Sequence, residues 1–309
     1  YTKSEESDMV NKRTLSMRKA WYAGTWYTAE PDGLRSTIIE SVDLARRASS
    51  TDNPEGPVRL AVLPHAGLAY SGRGIAHLVL HAPKKISKVL ILSPSHNTAL
   101  PENVLSFASF DGYDTPLGRL GSFETGLEKD GPDSTRVVQR EHAVEMVLPF
   151  LAYLQEQQKH EIAVSMALIS LVTDAINAQK IADSIAKALG EDELEAGQTL
   201  VIASSDFTHY GHRFSYAPYG LQVDHTVTQR VKEEDLKLAQ ALVRSESGPI
   251  FLRQRIGRST VCGIAAASIV SALAKKLGTR GWVADYYNSL DVLGERSHDF
   301  VAYGTLLWS

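Results

Sequence analysis

Histidine recurs in this sequence just after short apolar, β-branched runs. Pro64-His65-Ala66-Gly67 follows the run 58–63, Pro94-Ser95-His96-Asn97 follows 88–92, and Ser204-Ser205-Asp206-Phe207-Thr208-His209 follows 199–203. The only thiol, Cys262, stands in Thr260-Val261-Cys262-Gly263, directly before a small-residue run with helical spacing. Imidazole nitrogen together with thiolate suits borderline and soft metals such as iron, copper and zinc, whereas magnesium and calcium want oxygen. A helix N-terminus is also expected to lower the thiol pKa of Cys262. Asp206 and His209 have two open readings: they complete the coordination, or they supply a supporting carboxylate and a general base. His142, in Glu141-His142-Ala143-Val144-Glu145, opens a helix and is expected to line the pocket or, with Glu141 and Glu145, to orient a ligand. The pattern is not H-E-x-x-H, so no zincin helix follows.

Taken singly, each residue has an ordinary reading. A histidine after a strand is commonly a satisfied structural residue, a lone cysteine a small buried hydrophobe, and Asp206 a cap. Three histidines at successive strand ends favour a site, because ligand groups of doubly wound sheets converge past the carboxyl ends of the strands. His77, His81, His160, His212, His225 and His298 lack such a setting and are assigned local hydrogen-bond or surface roles.

The elements that must position these groups are legible as alternating runs. Continuous apolar stretches at 58–63, 88–92, 163–169 and 199–203 predict buried parallel strands, and helical spacing predicts helices at 34–47, 72–80, 142–155, 174–189 and 263–276. Two further strand-like runs follow at 281–287 and 299–308. The alternation predicts an α/β fold, a single domain with a central, mostly parallel mixed sheet flanked by helices. Residues 1–17 are expected to form a flexible tail and 18–309 the domain, with 49–56 and 128–134 as loops between elements. The charged stretch 232–237 is read as the start of a solvated helix face. Trp21, Tyr22, Trp26, Tyr27, Tyr70, Tyr210, Tyr216 and Tyr219 are read as core and rim packing ahead of a pocket wall. Gly72-Arg73-Gly74 lacks the full spacing of a dinucleotide loop.

Composition narrows the function classes. A net charge of −4 with dispersed basic residues offers no positive face for nucleic acid or anionic lipid. One cysteine in 309 residues permits no intrachain disulfide, which fits a reducing compartment. The first sixteen residues lack the apolar core of a secretory signal and no apolar run reaches membrane-spanning length, so a soluble chain is expected.

From Arg18 onward the chain resembles the Memo family. The resemblance is carried by Arg18-Lys19-Ala20-Trp21-Tyr22-Ala23-Gly24-Thr25-Trp26-Tyr27, by Pro64-His65-Ala66-Gly67 and Pro94-Ser95-His96, by Glu141-His142-Ala143-Val144-Glu145-Met146, by the segment Ser204 to Gly211, and by Thr260-Val261-Cys262-Gly263. It implies a fold like that of class III extradiol dioxygenases, with Cys262 where those enzymes place a glutamate ligand beside two histidines. Iron or copper held by His65, His96 and Cys262 is implied, with Asp206 and His209 close by, as is a cytoplasmic, and also nuclear, role in motility signalling. The chain departs from the family at Tyr22, where histidine is common. The leading expectation is therefore a redox-related or metal-handling protein and, if an enzyme, a metal-dependent oxidoreductase. A binding module that takes a small molecule, peptide or phosphopeptide in the same crevice is the alternative. Extradiol-type dioxygenase activity, with His209 as base, comes last.

Overall fold

The computed structural model describes residues 16–49, 56–255, 259–294 and 297–309, so the expected tail lies outside the described residues except for Ser16 and Met17. Among the described residues, ten strands form one sheet. They are β1 Leu60–Leu63, β2 Lys88–Ser93, β3 Ser106–Ala108, β4 Tyr113–Thr115, β5 Gly118–Ser122, β6 Ala163–Leu168, β7 Thr199–Ser204, β8 His209–Tyr210, β9 Gly281–Asn288 and β10 Phe300–Trp308. Their order is β4-β5-β6-β2-β7-β1-β10-β8, with β3 also on β6 and β9 on β10. The centre, β5-β6-β2-β7-β1, is parallel, and the pairs at both flanks are antiparallel.

The helices are α1 Pro31–Ala48, α2 Leu68–His81, α3 Thr135–Val138, α4 Leu148–Gln158, α5 Ala175–Leu189, α6 Glu191–Glu195, α7 His225–Val243, α8 Ser247–Arg255, α9 Ile264–Lys276 and α10 Ser289–Leu293. The central strands are apolar on both faces because both faces are covered. Ala61, Leu63, Val89 and Ile91 pack with α1, α2 and α4, while Leu60, Val62, Leu90 and Leu92 pack with α5, α7 and α9. This is the single α/β domain that the alternation predicts, arranged as in a dioxygenase-like fold.

Several boundaries differ from the sequence expectation. The helix expected at 72–80 starts four residues earlier, after Gly67, and its glycines serve packing: a Cβ on Gly72 would lie 2.7 Å from Ser41 Oγ, and one on Gly74 2.6 Å from Pro64 Cγ. The helix expected at 142–155 is broken into a 3₁₀ turn, His142–Val144, and α4, which Pro149 opens because a proline near a helix start gives up no needed N–H. The charged stretch 232–237 lies inside α7 rather than at its start, and it hides a fully buried carboxylate. Asp235 accepts hydrogen bonds from Thr208 Oγ1 at 2.6 Å and Tyr286 Oη at 2.9 Å, tying α7 to the segment after β7.

Candidate functional site

Strands β2, β7 and β1 are neighbours, and each ends on a residue of interest: His96 follows β2, Asp206 follows β7 and His65 follows β1. Two of these ends are clipped together, the backbone N–H of His65 donating to Asp206 Oδ1 at 2.8 Å. His142 arrives from the 3₁₀ turn. Its ring centroid lies 4.4 Å from that of His96 and 5.4 Å from that of His65.

Hydrogen bonding fixes which nitrogen each ring offers, by the chemistry of the partner rather than by any observed hydrogen. The Ser204 hydroxyl donates to the Ala143 carbonyl at 2.6 Å, so it accepts from His65 Nδ1 at 2.8 Å. Glu141 Oε1 accepts from His96 Nδ1 at 2.8 Å and lies 3.2 Å from His142 Nδ1. A carboxylate only accepts, so His96 Nδ1 carries a proton. His65 and His96 thus carry the proton on Nδ1 and the lone pair on Nε2. One ligand nitrogen from each of His65, His96 and His142 lies within 4.8 Å of the other two, so this cluster could hold a metal ion.

Electrostatics favour neutral rings at His65 and His142. Burial, with the neighbouring histidines, pushes the His65 pKa well down, and burial followed by His65 and His96 brings His142 to about 4. Burial alone would raise Glu141, but hydrogen bonds from the ring and amide of His96 outweigh it and hold the carboxyl near about 2.

Cys262 reaches the same place from below. Its Sγ lies 3.2 Å from His65 Nε2 and 3.8 Å from the Asp206 carbonyl. The expected lowering of its pKa does not occur. Burial, and then the Asp206 carboxylate, push the thiol far up, so without a metal Cys262 is a protonated thiol donating to His65. The approach depends on Gly263, where a Cβ would collide with the Ser204 carbonyl and the Ser205 side chain.

The roof is built by Glu145. This buried carboxylate accepts from Arg18 Nη1 at 2.7 Å, from the amides of Trp21 at 3.1 Å and Tyr22 at 2.8 Å, and from Tyr27 Oη at 2.8 Å. The loop so held lays Trp26 over His142, ring centroids 4.6 Å apart. Of the aromatics read as packing, Trp26 and Tyr70 line the crevice, and Tyr210 is core.

His65, His96, His142, Asp206 and His209 all face one crevice of about 660 Å³, and Cys262 meets it through His65. His209 Nδ1 sits 3.1 Å from the Phe207 carbonyl and 3.0 Å from that of Thr260. Two acceptors require that Nδ1 carry the proton, so His209 also presents an Nε2 lone pair. Sequence reasoning missed Ser204, whose hydroxyl sets the His65 tautomer, and Arg213, Phe214 and Tyr303 in the wall. Nothing in their local spacing marks them. Ser204 ends β7, and the other three are brought in by β10 and the turn His212–Phe214.

Set against known proteins, residues 18–307 match the family model described as Memo-like protein. The chain belongs to the Memo family. It is 31% identical over 213 residues to the human Protein MEMO1, a match covering 65% of this chain and 66% of that protein. The match to the Xenopus tropicalis Protein MEMO1 is also 31%, over 211 residues, and spans 66% of that protein. A MEMO1 family protein of the archaeon Methanosarcina barkeri is 30% identical over 285 residues, 90% of this chain and 95% of that protein. The Memo-family motifs of the sequence include all three imidazoles of the cluster, at His65, His96 and His142.

Proposed function

We propose that this Memo-family protein binds one iron or copper ion at the head of the crevice through His65, His96 and Cys262, with His142 as the adjoining imidazole, and that its role is redox-related or metal-handling. The observation that carries this reading is the convergence of three imidazoles, those of His65 and His96 tethered at Nδ1, with the Cys262 sulfur 3.2 Å from His65 Nε2. Two donors on one metal, with bonds of about 2.1 and 2.3 Å, stand roughly 3–3.6 Å apart, so sulfur and nitrogen have a spacing that suits a shared ion. The mixed imidazole and thiolate set favours iron or copper over oxygen-seeking magnesium or calcium.

When bound, such an ion supplies a Lewis acid and a one-electron couple. Glu141 and Ser204 hold the rings in the ligating tautomer, Cys262 must give up its proton to ligate, and His209 Nε2 is placed to accept a proton from a molecule in the crevice. The same His209 supports, as a lesser reading, an extradiol-type dioxygenase. A peptide-binding module is supported by Trp21, 47% exposed with the Arg140 guanidinium 4.5 Å above its ring, near the roof. The single cysteine and the family resemblance support a cytoplasmic location.

Elemental analysis of protein purified anaerobically and under reduction tests the proposal. Wild type is expected to carry one equivalent of iron or copper, lost in His65→Ala and reduced in Cys262→Ser. Retention in Cys262→Ser with loss in His142→Ala would move the third ligand to His142. No metal in wild type, even after loading with Fe(II) or Cu(I), would overturn the reading in favour of the binding module.

A further inference from the structure

Tyr303 is 2% exposed and lines the crevice, yet its hydroxyl has no hydrogen-bond partner among the described residues. The residue is buried but its hydroxyl is not: it opens onto the crevice, where a phenol can meet a ligand. Its ring is fixed by Tyr287, whose centroid lies 5.3 Å away and whose own hydroxyl donates to the Tyr70 carbonyl at 2.7 Å and accepts from the Gly74 amide at 3.1 Å. On β10 the register sets Val301 opposite His209 of β8. Paired residues share a face of the sheet, as do residues two apart along a strand, so Tyr303 is the diagonal neighbour of His209, roughly 7–8 Å from it between Cα atoms.

Both residues line the crevice, beside the apolar surfaces of Trp26 and Phe214. Burial, and then Asp206, push the Tyr303 pKa upward, so its hydroxyl keeps its proton and donates. His209 offers the Nε2 lone pair, since Nδ1 is engaged by two carbonyls. One wall of the crevice therefore carries a donor and an acceptor side by side, both without a protein partner at that atom.

We infer that Tyr303 and His209 recognise a small neutral molecule whose head group accepts one hydrogen bond and donates another, an alcohol or a primary carboxamide, with an apolar body against Trp26 and Phe214. Tyr303 donates to the head-group oxygen, and the O–H or N–H of the head group donates to His209. A carboxylate is disfavoured because it brings no proton for His209 and places negative charge beside Asp206. The inference concerns the ligand of the crevice and stands without a metal.

The test is an NMR titration of the metal-free protein with benzyl alcohol, benzamide, toluene and benzoate. Benzyl alcohol or benzamide is expected to bind at least tenfold more tightly than toluene and benzoate, and the tighter of the two identifies the head group. Tyr303→Phe is expected to weaken that binding roughly three- to tenfold, the worth of one neutral hydrogen bond, while leaving toluene unchanged. Binding of neither polar probe, equal binding of toluene or benzoate, or undiminished binding in Tyr303→Phe overturns the inference. The selectivity of wild type decides the matter even if the variant folds poorly. Iron retained by Tyr303→Phe after loading with Fe(II), expected to equal wild type, separates failure here from failure of the metal reading.

Discussion

Glu141 grips His96 twice: Oε2 accepts the His96 backbone amide at 2.9 Å and Oε1 accepts ring Nδ1 at 2.8 Å. One side chain thus fixes both the position of the loop after β2 and the rotation of the ring it carries. Glu141→Gln keeps the shape but can turn an N–H toward Nδ1 and release the tautomer. Metal affinity is expected to fall about 10- to 100-fold, as for other partners of ligating histidines. Competition with a chelator of known affinity measures it, and an unchanged affinity would remove Glu141 from the proposed site.

Arg18 and Glu145 are both fully buried and paired at 2.7 Å. Arg18→Ala leaves Glu145 charged and short of its strongest donor, and removing one partner of a buried pair costs about 3–5 kcal/mol. Urea unfolding should show a loss of that size. Trp26, whose loop Glu145 holds, should report the loosened roof by fluorescence at denaturant concentrations below the global transition.

Asp285 gives a pH signature away from the site. It accepts two hydrogen bonds from Arg73, each 2.7 Å, and one from His77 at 3.2 Å. Burial alone would raise its pKa, but the bonds from His77 and Arg73 outweigh it and hold the carboxyl below its ordinary value. A depressed folded-state pKa gives stability that is fully present above the unfolded value near 3.9 and is lost as pH falls through the lower folded value. Asp285→Asn is expected to cost about 3 kcal/mol at neutral pH and to flatten the acid limb of stability below about pH 4. Denaturant titrations at a series of pH values check both. A variant that keeps the wild-type acid limb would show that other carboxylates produce it.

Gly263 sets the approach of Cys262. Gly263→Ala must push the start of α9 away from the Ser204 carbonyl, and with it the sulfur from His65. Overpacking of this kind costs about 1–3 kcal/mol. Thiol reaction with a maleimide is expected to be faster in the variant than in wild type, where the thiol is protonated and bonded to His65. Equal rates would mean that the backbone absorbs the methyl group without moving Cys262.

The parts of the fold visible in the sequence are those in which one residue type repeats under one constraint. β1, β2, β6 and β7 are covered on both faces, so their apolar runs are unbroken and their ends carry His65, His96 and Asp206 in plain sight. β5 reads Gly118-Arg119-Leu120-Gly121-Ser122 and buries only Leu120, so it lacks a run to recognise. Asp235 hid in a charged stretch because only the packing of α7 on β9 shows which of those charges faces inward. The Cys262 pKa went the wrong way because helix position can be read from sequence whereas burial cannot. Tyr303 could be placed on a strand, but its neighbour His209 follows from the pairing of β10 with β8, a register that neither segment announces.

The last of the described strands lies well inside the sheet, with β1 on one side of Leu306–Trp308 and β9 on the other. Synthesis at about 5–20 residues per second releases the first strand long before the last. A growing chain that has not reached residue 300 can carry His65, His96 and His142, but one edge of β1 stays open and the wall that bears Tyr303 does not yet exist. An open edge invites pairing with other chains. The crevice is therefore complete only once residues 300–308 have been made, and a chain cut short before residue 300 is exposed at the strand that leads into the first histidine of the cluster.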